Sequence, residues 1–163
     1  MITNHKFAYR NVASKYYEFR PQDIDKAMDD FRRILEGSGL HLSGRMFFSI
    51  LSDPQNEIMI AEIFFSVEED TIKDLVAPEE EIRFRSYFTL SPMVMTRIID
   101  DFEVKSQEKY WDLISYIQVN QLEQETPVFI EYKTSMSGVS YVEMSVGYRA
   151  YIEKNNTYNG ASQ

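Results

Sequence analysis

The stretch "AMDDFRRILEGSGLHLSGRMFFSI", residues 27–50, and the stretch "KYWDLISYIQVNQLEQETPVFIEY", residues 109–132, decide the fold. They lie 82 positions apart and match in chemical type: Met28 with Tyr110, Phe31 with Leu113, Leu35 with Ile117, Leu40 with Leu122, Phe47 with Phe129. From just before the first stretch, Ile24, Met28, Phe31 and Leu35 fall on one helical face. Pro21 suits a first turn. Asp23 and Asp25 sit early and Arg32 and Arg33 late, as the helix dipole prefers. Gly37 and Gly39 stop the helix. In the second, "SQEKYWDLISYIQVN" is helical, with Tyr110, Leu113, Ile114 and Ile117 on one face.

Working outward, each helix lies between strand-like segments. "VASKYYEF" (12–19) precedes the first. "RMFFSIL" (45–51) and "EIMIAEIFFSV" (57–67) follow it as a hairpin across "SDPQN". The acidic "EEDTIKDLVAPEEE" (68–81) reads as a solvated connector, with a short helical turn around 72–76. The pattern then restarts with "IRFRSYFTL" and "MVMTRII", bent at Pro92. "VFIEYKT" (128–134) and "SYVEMSVGYRAYI" (140–152) form a second hairpin across "SMSG". The same offset of 82 takes Val12 to Val94 with no gap from the first strand through the helix, and one residue of slippage in the hairpin turn brings Glu62 onto Glu143. The expected fold is therefore α+β: two pseudo-symmetric β-α-β-β modules forming a curved antiparallel sheet with two main helices. Module one spans 3–67, the connector 68–81 and module two 82–152, in a single domain over 1–152, with a disordered tail at 153–163.

Composition bounds the function. The chain has 163 residues, enough for one sizeable core, and a formal net charge of −9. That charge argues against nucleic acid and an anionic membrane surface, so neither is expected as a partner, and it suits a cationic small molecule or a basic protein partner. Cysteine is absent, so disulfides, thiolate metal sites and cysteine nucleophiles are excluded. No secretion signal and no apolar membrane span is visible, so the expected location is the cytoplasm. Neither His5 nor His41 has neighbouring acids at metal-ligand spacing, and no catalytic or nucleotide-binding motif is present. A non-enzymatic protein without metal or cofactor is expected, with a hydrolase using Glu62 and Glu143 as paired carboxylates as the minor alternative.

The doubled strand-helix-strand-strand pattern resembles the GyrI-like family, the effector-binding domains of bacterial multidrug-responsive regulators and their stand-alone relatives. The resemblance covers residues 3–152 and is carried by "YFTLSPMVMTRI", "EKYWDLISYIQVNQLEQETPVFIEY" and "SYVEMSVGYR". It departs at Gly147, where the family places a proline, and before both helices, where its Gly-containing turn is replaced by "FRPQD" and "DDFEVKS". The resemblance implies a groove at the module junction that takes lipophilic, often cationic, compounds through aromatic walls and one buried glutamate. By its place on the last strand, Glu143 matches that glutamate.

The candidate ligand-binding residues are Glu143, its offset mate Glu62, its same-face neighbour Tyr141, and the aromatics Trp111, Tyr87 and Tyr132. Each has an ordinary alternative. Glu143 shares its strand face with Ser145 and Arg149, as a solvated sheet face would, and Arg149 is its expected partner. Glu62 sits among Ile58, Ile60 and Phe64, an apolar setting that a one-residue bulge would reverse. Trp111 flanks the core face of its helix, and Tyr87 and Tyr132 lie on strands. The competing reading is a protein-interaction or adaptor module, gyrase-inhibitor-like or accessory to a toxin or secretion system, that holds a basic protein and no small molecule.

Overall fold

Alternating patterns and helical stripes of this kind place eight main elements along residues 1–151, the part of the chain that the computed structural model describes. They are β1 (Ile2–Phe19), α1 (Ile24–Gly37), β2 (Leu42–Ile50), β3 (Met59–Val67), β4 (Arg83–Ile98), α2 (Phe102–Val119), β5 (Leu122–Thr134) and β6 (Ser140–Ala150). Ile152 and the tail expected to be disordered lie outside the described residues. All strand pairings are antiparallel in the order β1-β3-β2-β5-β6-β4, and β4 returns to pair with β1, so the curved sheet closes. The α+β class with two main helices is as expected.

Element extents differ from the sequence reading for local reasons. β1 begins ten residues earlier than "VASKYYEF" suggests. Its first part buries little beyond Phe7, and Asn4 and Asn11 take left-handed φ values of 56° and 54° that interrupt the alternation. β4 runs through Pro92 as one strand. The β1 ladder skips from Leu90 to Met93 there, so no pairing needs the N–H that Pro92 lacks. α2 starts at Phe102, four residues before the expected Ser106. Between β3 and β4 the chain makes a turn at Ile72–Leu75 and a 3₁₀ turn at Pro78–Glu80.

Both helices pack on the outer face of the sheet. Met28, Phe31 and Leu35 of α1 and Leu113 and Ile117 of α2 bury against Phe48, Ile63, Phe65, Ile130, Met144 and Val146. The face turned inward carries a second core of Phe7, Val12, Phe47, Phe64, Phe88, Met93 and Phe129. Phe47 of β2 lies 5.5 Å from Phe88 of β4, strands that are not neighbours, so these rings meet across the inside of the closed sheet. Phe47 and Phe64 stack at 4.7 Å and 11°. Burial contributes about 1.5–3 kcal/mol per ring and each aromatic pair about 0.5–1.5 kcal/mol more.

The pairing register relates the two halves. Phe48 of β2 pairs directly with Ile130 of β5, so a local twofold passes between these residues, 82 apart. β1 and β4 follow a different offset. Val12 and Met93 both lie in the phenylalanine core, and Ala13 and Val94 both lie under the helices, so the shift is 81 and Val12 does not correspond to Val94. The extra residue lies between the strand and the helix. The 81 shift also holds for β3 and β6: Val12 faces Ser66 as Met93 faces Gly147, which makes Glu62 the positional equivalent of Glu143.

Candidate functional site

The helix-covered face of the sheet is not fully covered. Where the start of α1 and the first turns of α2 diverge, a groove opens on the twofold. Its narrow part, about 300 Å³, has a floor of Phe48, Ile50, Ile130 and Met144 and a wall at Tyr110. Its wide part, about 970 Å³, runs along Met46, Ile98, Tyr132, Lys133 and Tyr141. Pro21, Gln22, Ile24, Phe102 and Glu103 line both, so the two parts are continuous. Asp25, Asp100, Asp101 and Glu103 face the wide part against Arg45 and Lys133, a net acidic rim. Tyr132 is largely buried there, and burial with the charge of Asp25 pushes its hydroxyl up to about 12, so it stays neutral.

On the inward face, polar side chains cap the phenylalanine core. Glu131 and Glu143 pair directly across β5 and β6 and are each 1% exposed. Arg97 Nε donates to Glu143 Oε2 at 2.7 Å. Lys133 Nζ lies 2.9 Å from Glu143 Oε1, close but poorly angled for a hydrogen bond, and 3.5 Å from Glu131 Oε1. The Tyr9 hydroxyl donates to Glu131 Oε2, and the guanidinium of Arg45 lies over the Tyr9 ring at 5.9 Å. Burial works to raise the pKa of Glu143, but the hydrogen bond from Arg97 and the charges of Lys133 and Arg97 outweigh it and hold the carboxyl below its ordinary value. Burial works to lower that of Lys133, and its contacts with Glu143 and Glu131 raise it instead. His5 is lowered, chiefly by burial. The cluster thus sets two carboxylates, Glu131 and Glu143, against the cations of Arg97 and Lys133.

The sequence-derived candidates separate in space. Tyr132 and Tyr141 line the groove. Glu143 and Glu62 lie on the inward face, and Glu143 is neither solvated nor paired with Arg149, which bonds Glu123 opposite it in the β5–β6 ladder. The expected solvated face is the inside of the closed sheet. Glu62, 7% exposed, accepts from Ser14 Oγ at 2.6 Å and from Arg85 at 3.2 Å. Tyr141 joins groove and cluster, since the Arg97 guanidinium lies 5.7 Å over its ring. Trp111 is 41% exposed on α2 against Tyr110, and Tyr87 is 66% exposed with its hydroxyl accepting from Arg10; neither reaches the groove.

Sequence reasoning missed Glu131, Lys133, Arg97, Tyr9 and Phe102. The alternation in "VFIEYKT" carried the signal for the first two, because it sets Phe129, Glu131 and Lys133 on one strand face. Among the described residues no three metal-ligating side chains come together. No helix among them is long and apolar enough to cross a membrane.

The family model of a domain of unknown function, DUF5085, matches residues 8–149. The chain belongs to the DUF5085 family. No curated protein matches it in sequence. Among solved structures it is similar to the EcmrR C-terminal domain, with a TM-score of 0.64 and 12% identity over 93% of this chain and 100% of that one. It is also similar to EcmrR in a cryo-EM structure of an EcmrR–DNA complex, with a TM-score of 0.64 and 13% identity, covering 90% of this chain and 58% of that one. The GyrI-like fold implied by the resemblance is therefore the fold found, while the family shown is DUF5085. The exclusion of nucleic acid is corrected, because a protein carrying this fold is seen in complex with DNA. The physical reason is that net charge sums over a whole chain, whereas contact is made by a local surface or by another part of a longer protein.

Proposed function

We propose that this DUF5085 protein is a non-enzymatic small-molecule-binding domain that takes a lipophilic, positively charged compound in the groove between α1 and α2. The observation that carries the reading is the apolar floor of Phe48, Ile50, Ile130 and Met144, left open on the local twofold where the two halves join. Concave, mostly apolar clefts with a few polar groups are the usual form of small-molecule sites. The acidic rim favours a cation, and the rings of Tyr132, Tyr141 and Phe102 add cation–π attraction of about 0.5–2 kcal/mol each. The fold shared with the EcmrR C-terminal domain is the one for which the GyrI-like resemblance implies such a groove.

The test is a thermal-shift titration with tetraphenylphosphonium on the wild type and on Phe102→Ala. Ligand at about 100 times its Kd stabilises the fold by about 2.7 kcal/mol, a shift of several degrees at this size. Phe102 lines both parts of the groove, so its removal is expected to weaken binding about tenfold or more. Equal affinity in the two proteins places the compound elsewhere, and no shift at any concentration removes the reading.

A further inference from the structure

Charge is spread unevenly over the chain. β1 before Glu18 and the whole of β4 hold Lys6, Arg10, Lys15, Arg83, Arg85 and Arg97 and no acid, in a chain with 26 acids. The two strands pair with each other, Ile2–Ser14 against Arg83–Met95. Lys15, Arg85 and Arg97 are taken up by Glu80, Glu62 and Glu143. Lys6, Arg10 and Arg83 form no ion pair among the described residues. Arg10 donates to the Tyr87 hydroxyl at 2.7 Å, and the Arg83 guanidinium lies 5.0 Å from the centre of the Tyr16 ring. Arg85 meets both Ser14 and Glu62 through Nη1, so its other donors stay open among the described residues. The seam is a basic ribbon on an acidic protein.

The same seam has a free backbone edge. β6 pairs with β4 only over Met93–Ile98, so from Arg83 to Leu90 β4 has β1 on one side and, among the described residues, no strand on the other. In an antiparallel ladder alternate residues turn their N–H and C=O groups to opposite edges, so a row of such groups faces outward here. β1 has a matching overhang before Val12, where β3 no longer pairs with it. Asn4 and Asn11 hold left-handed φ on that stretch and break its line. No residue of Arg83–Leu90 does so, and its register against β1 is constant. Free edges are usually blunted by proline, lysine or a bulge, and "RFRSYFTL" has none of these. Ser86, Tyr87 and Thr89 are exposed on it.

We propose that the free edge of β4, Arg83–Leu90, docks an extended acidic segment of a partner protein, which adds to the sheet as an antiparallel strand in line with β6. Backbone bonds along an open edge give affinity in this mode, and alternate side chains give specificity. Charge selects the occupant. Arg83 and Arg85 stand two apart on one face of the strand, and acids on alternate residues of an added strand come beside them. A second copy of the chain brings the same arginines to the edge and sets −9 against −9. An uncharged strand leaves Arg83 unpaired. Whole-chain charge suits a basic partner, but this local surface suits an acidic one. None of Arg83–Leu90 lines the groove between the helices, so the site does not rest on that groove.

The test uses a fluorescent peptide of alternating glutamate and valine, titrated by anisotropy against the wild type and Arg83→Glu. Saturable binding is expected, weakened about tenfold or more by Arg83→Glu and by glutamine in place of the peptide's glutamates. Two further peptides, N-methylated on the glutamates or on the valines, separate strand addition from charge attraction. Only one set of N–H groups faces β4, so one of these peptides loses binding and the other keeps it. Hydrogen exchange of the wild type with the unmodified peptide locates the strand, and slowed amides at Arg83–Leu90 support the site whether or not the variant folds. Equal binding of the two N-methylated peptides, or protection elsewhere, overturns the proposal. So does the absence of peptide binding at low salt. Binding of oligothymidylate with no binding of the peptide also overturns it, and makes the ribbon a phosphate-binding surface.

Discussion

Two rows of side chains cross the inward face of the sheet at equivalent places. One runs Phe47, Glu131, Glu143, Arg97; the other runs Phe129, Ser49, Glu62, Tyr16. The aromatic end and the buried glutamate are shared. The middle and the far end are not. In the second row, Glu62 has a neutral neighbour at Ser49, and one hydroxyl and one guanidinium satisfy it. In the first, Glu143 faces a second buried acid, and Lys133 is needed between them. The position equivalent to Lys133 in the first half is Leu51, which is 42% exposed. One geometry therefore holds a single buried carboxylate in one half and an acid pair with a lysine between its members in the other. Glu131, Lys133 and Arg97 surround the one glutamate, and Ser49, Ser14 and Arg85 the other.

Removing a shared feature should give the largest effect. Phe47→Ala and Phe129→Ala each empty part of the ring cluster and are expected to cost about 3–5 kcal/mol, a fall in Tm of roughly 10 °C. Denaturant melts check this, and a difference above about 1 kcal/mol between them would break the equivalence of the rows.

Next come the glutamates. Breaking a fully buried pair costs about 3–5 kcal/mol. Arg97 is half exposed, so Glu143→Gln is expected to cost about 2–3 kcal/mol. Glu62→Gln should cost less, because Ser14 can still bond the amide. The reverse order in melts would mean that the second acid does not matter.

Gly147 and Ser66 form a third contrast. A Cβ at Gly147 would lie 2.7 Å from Thr126 Cγ2, whereas Ser66 already carries a side chain at the equivalent place. Gly147→Ala is expected to cost about 1–2 kcal/mol by overpacking and Ser66→Ala close to nothing. The Gly147 N–H also donates to Thr126 Oγ1 at 2.8 Å, a bond that the proline of GyrI-like domains would remove.

The smallest effect is in pH. The carboxyl of Glu143 is held below its usual 4.5, so its stabilisation is full above that value and is lost as pH falls through the lowered one. Lys133 is raised above 10.5, so its share is full below that value and is lost as pH rises through the raised one. The melting gap between wild type and Glu143→Gln should be flat from about pH 5 to 10 and narrow on either side. A gap that widens in acid would contradict the ion pair.

The helices and the hairpins were legible because their residues repeat with the period of the element: Phe31 and Leu35 under α1, Val142, Met144 and Val146 under the helices from β6. The ends of elements were less so. β1 before Val12 buries almost nothing but Phe7, and a strand that buries so little leaves no stripe to read. Glu143 could be found, but its surroundings could not. "YVEMSVGYR" looks like a half-solvated strand, and only closure of β4 onto β1 turns its polar face inward. Its partners Arg97 and Lys133 come from two other strands, a pairing that depends on register and leaves no mark in any single segment.

The most direct test of the groove is a titration of ¹³C-methyl methionine signals with tetraphenylphosphonium. Met46 lines the wide part of the groove, Met59 and Met144 the narrow part, and Met93 sits in the phenylalanine core on the other side of the sheet. The expected result is saturable shifts at Met46, Met59 and Met144 with Met93 and Met28 unmoved. Shifts centred on Met93, or no saturable shift at any methionine, would contradict a ligand site between the helices.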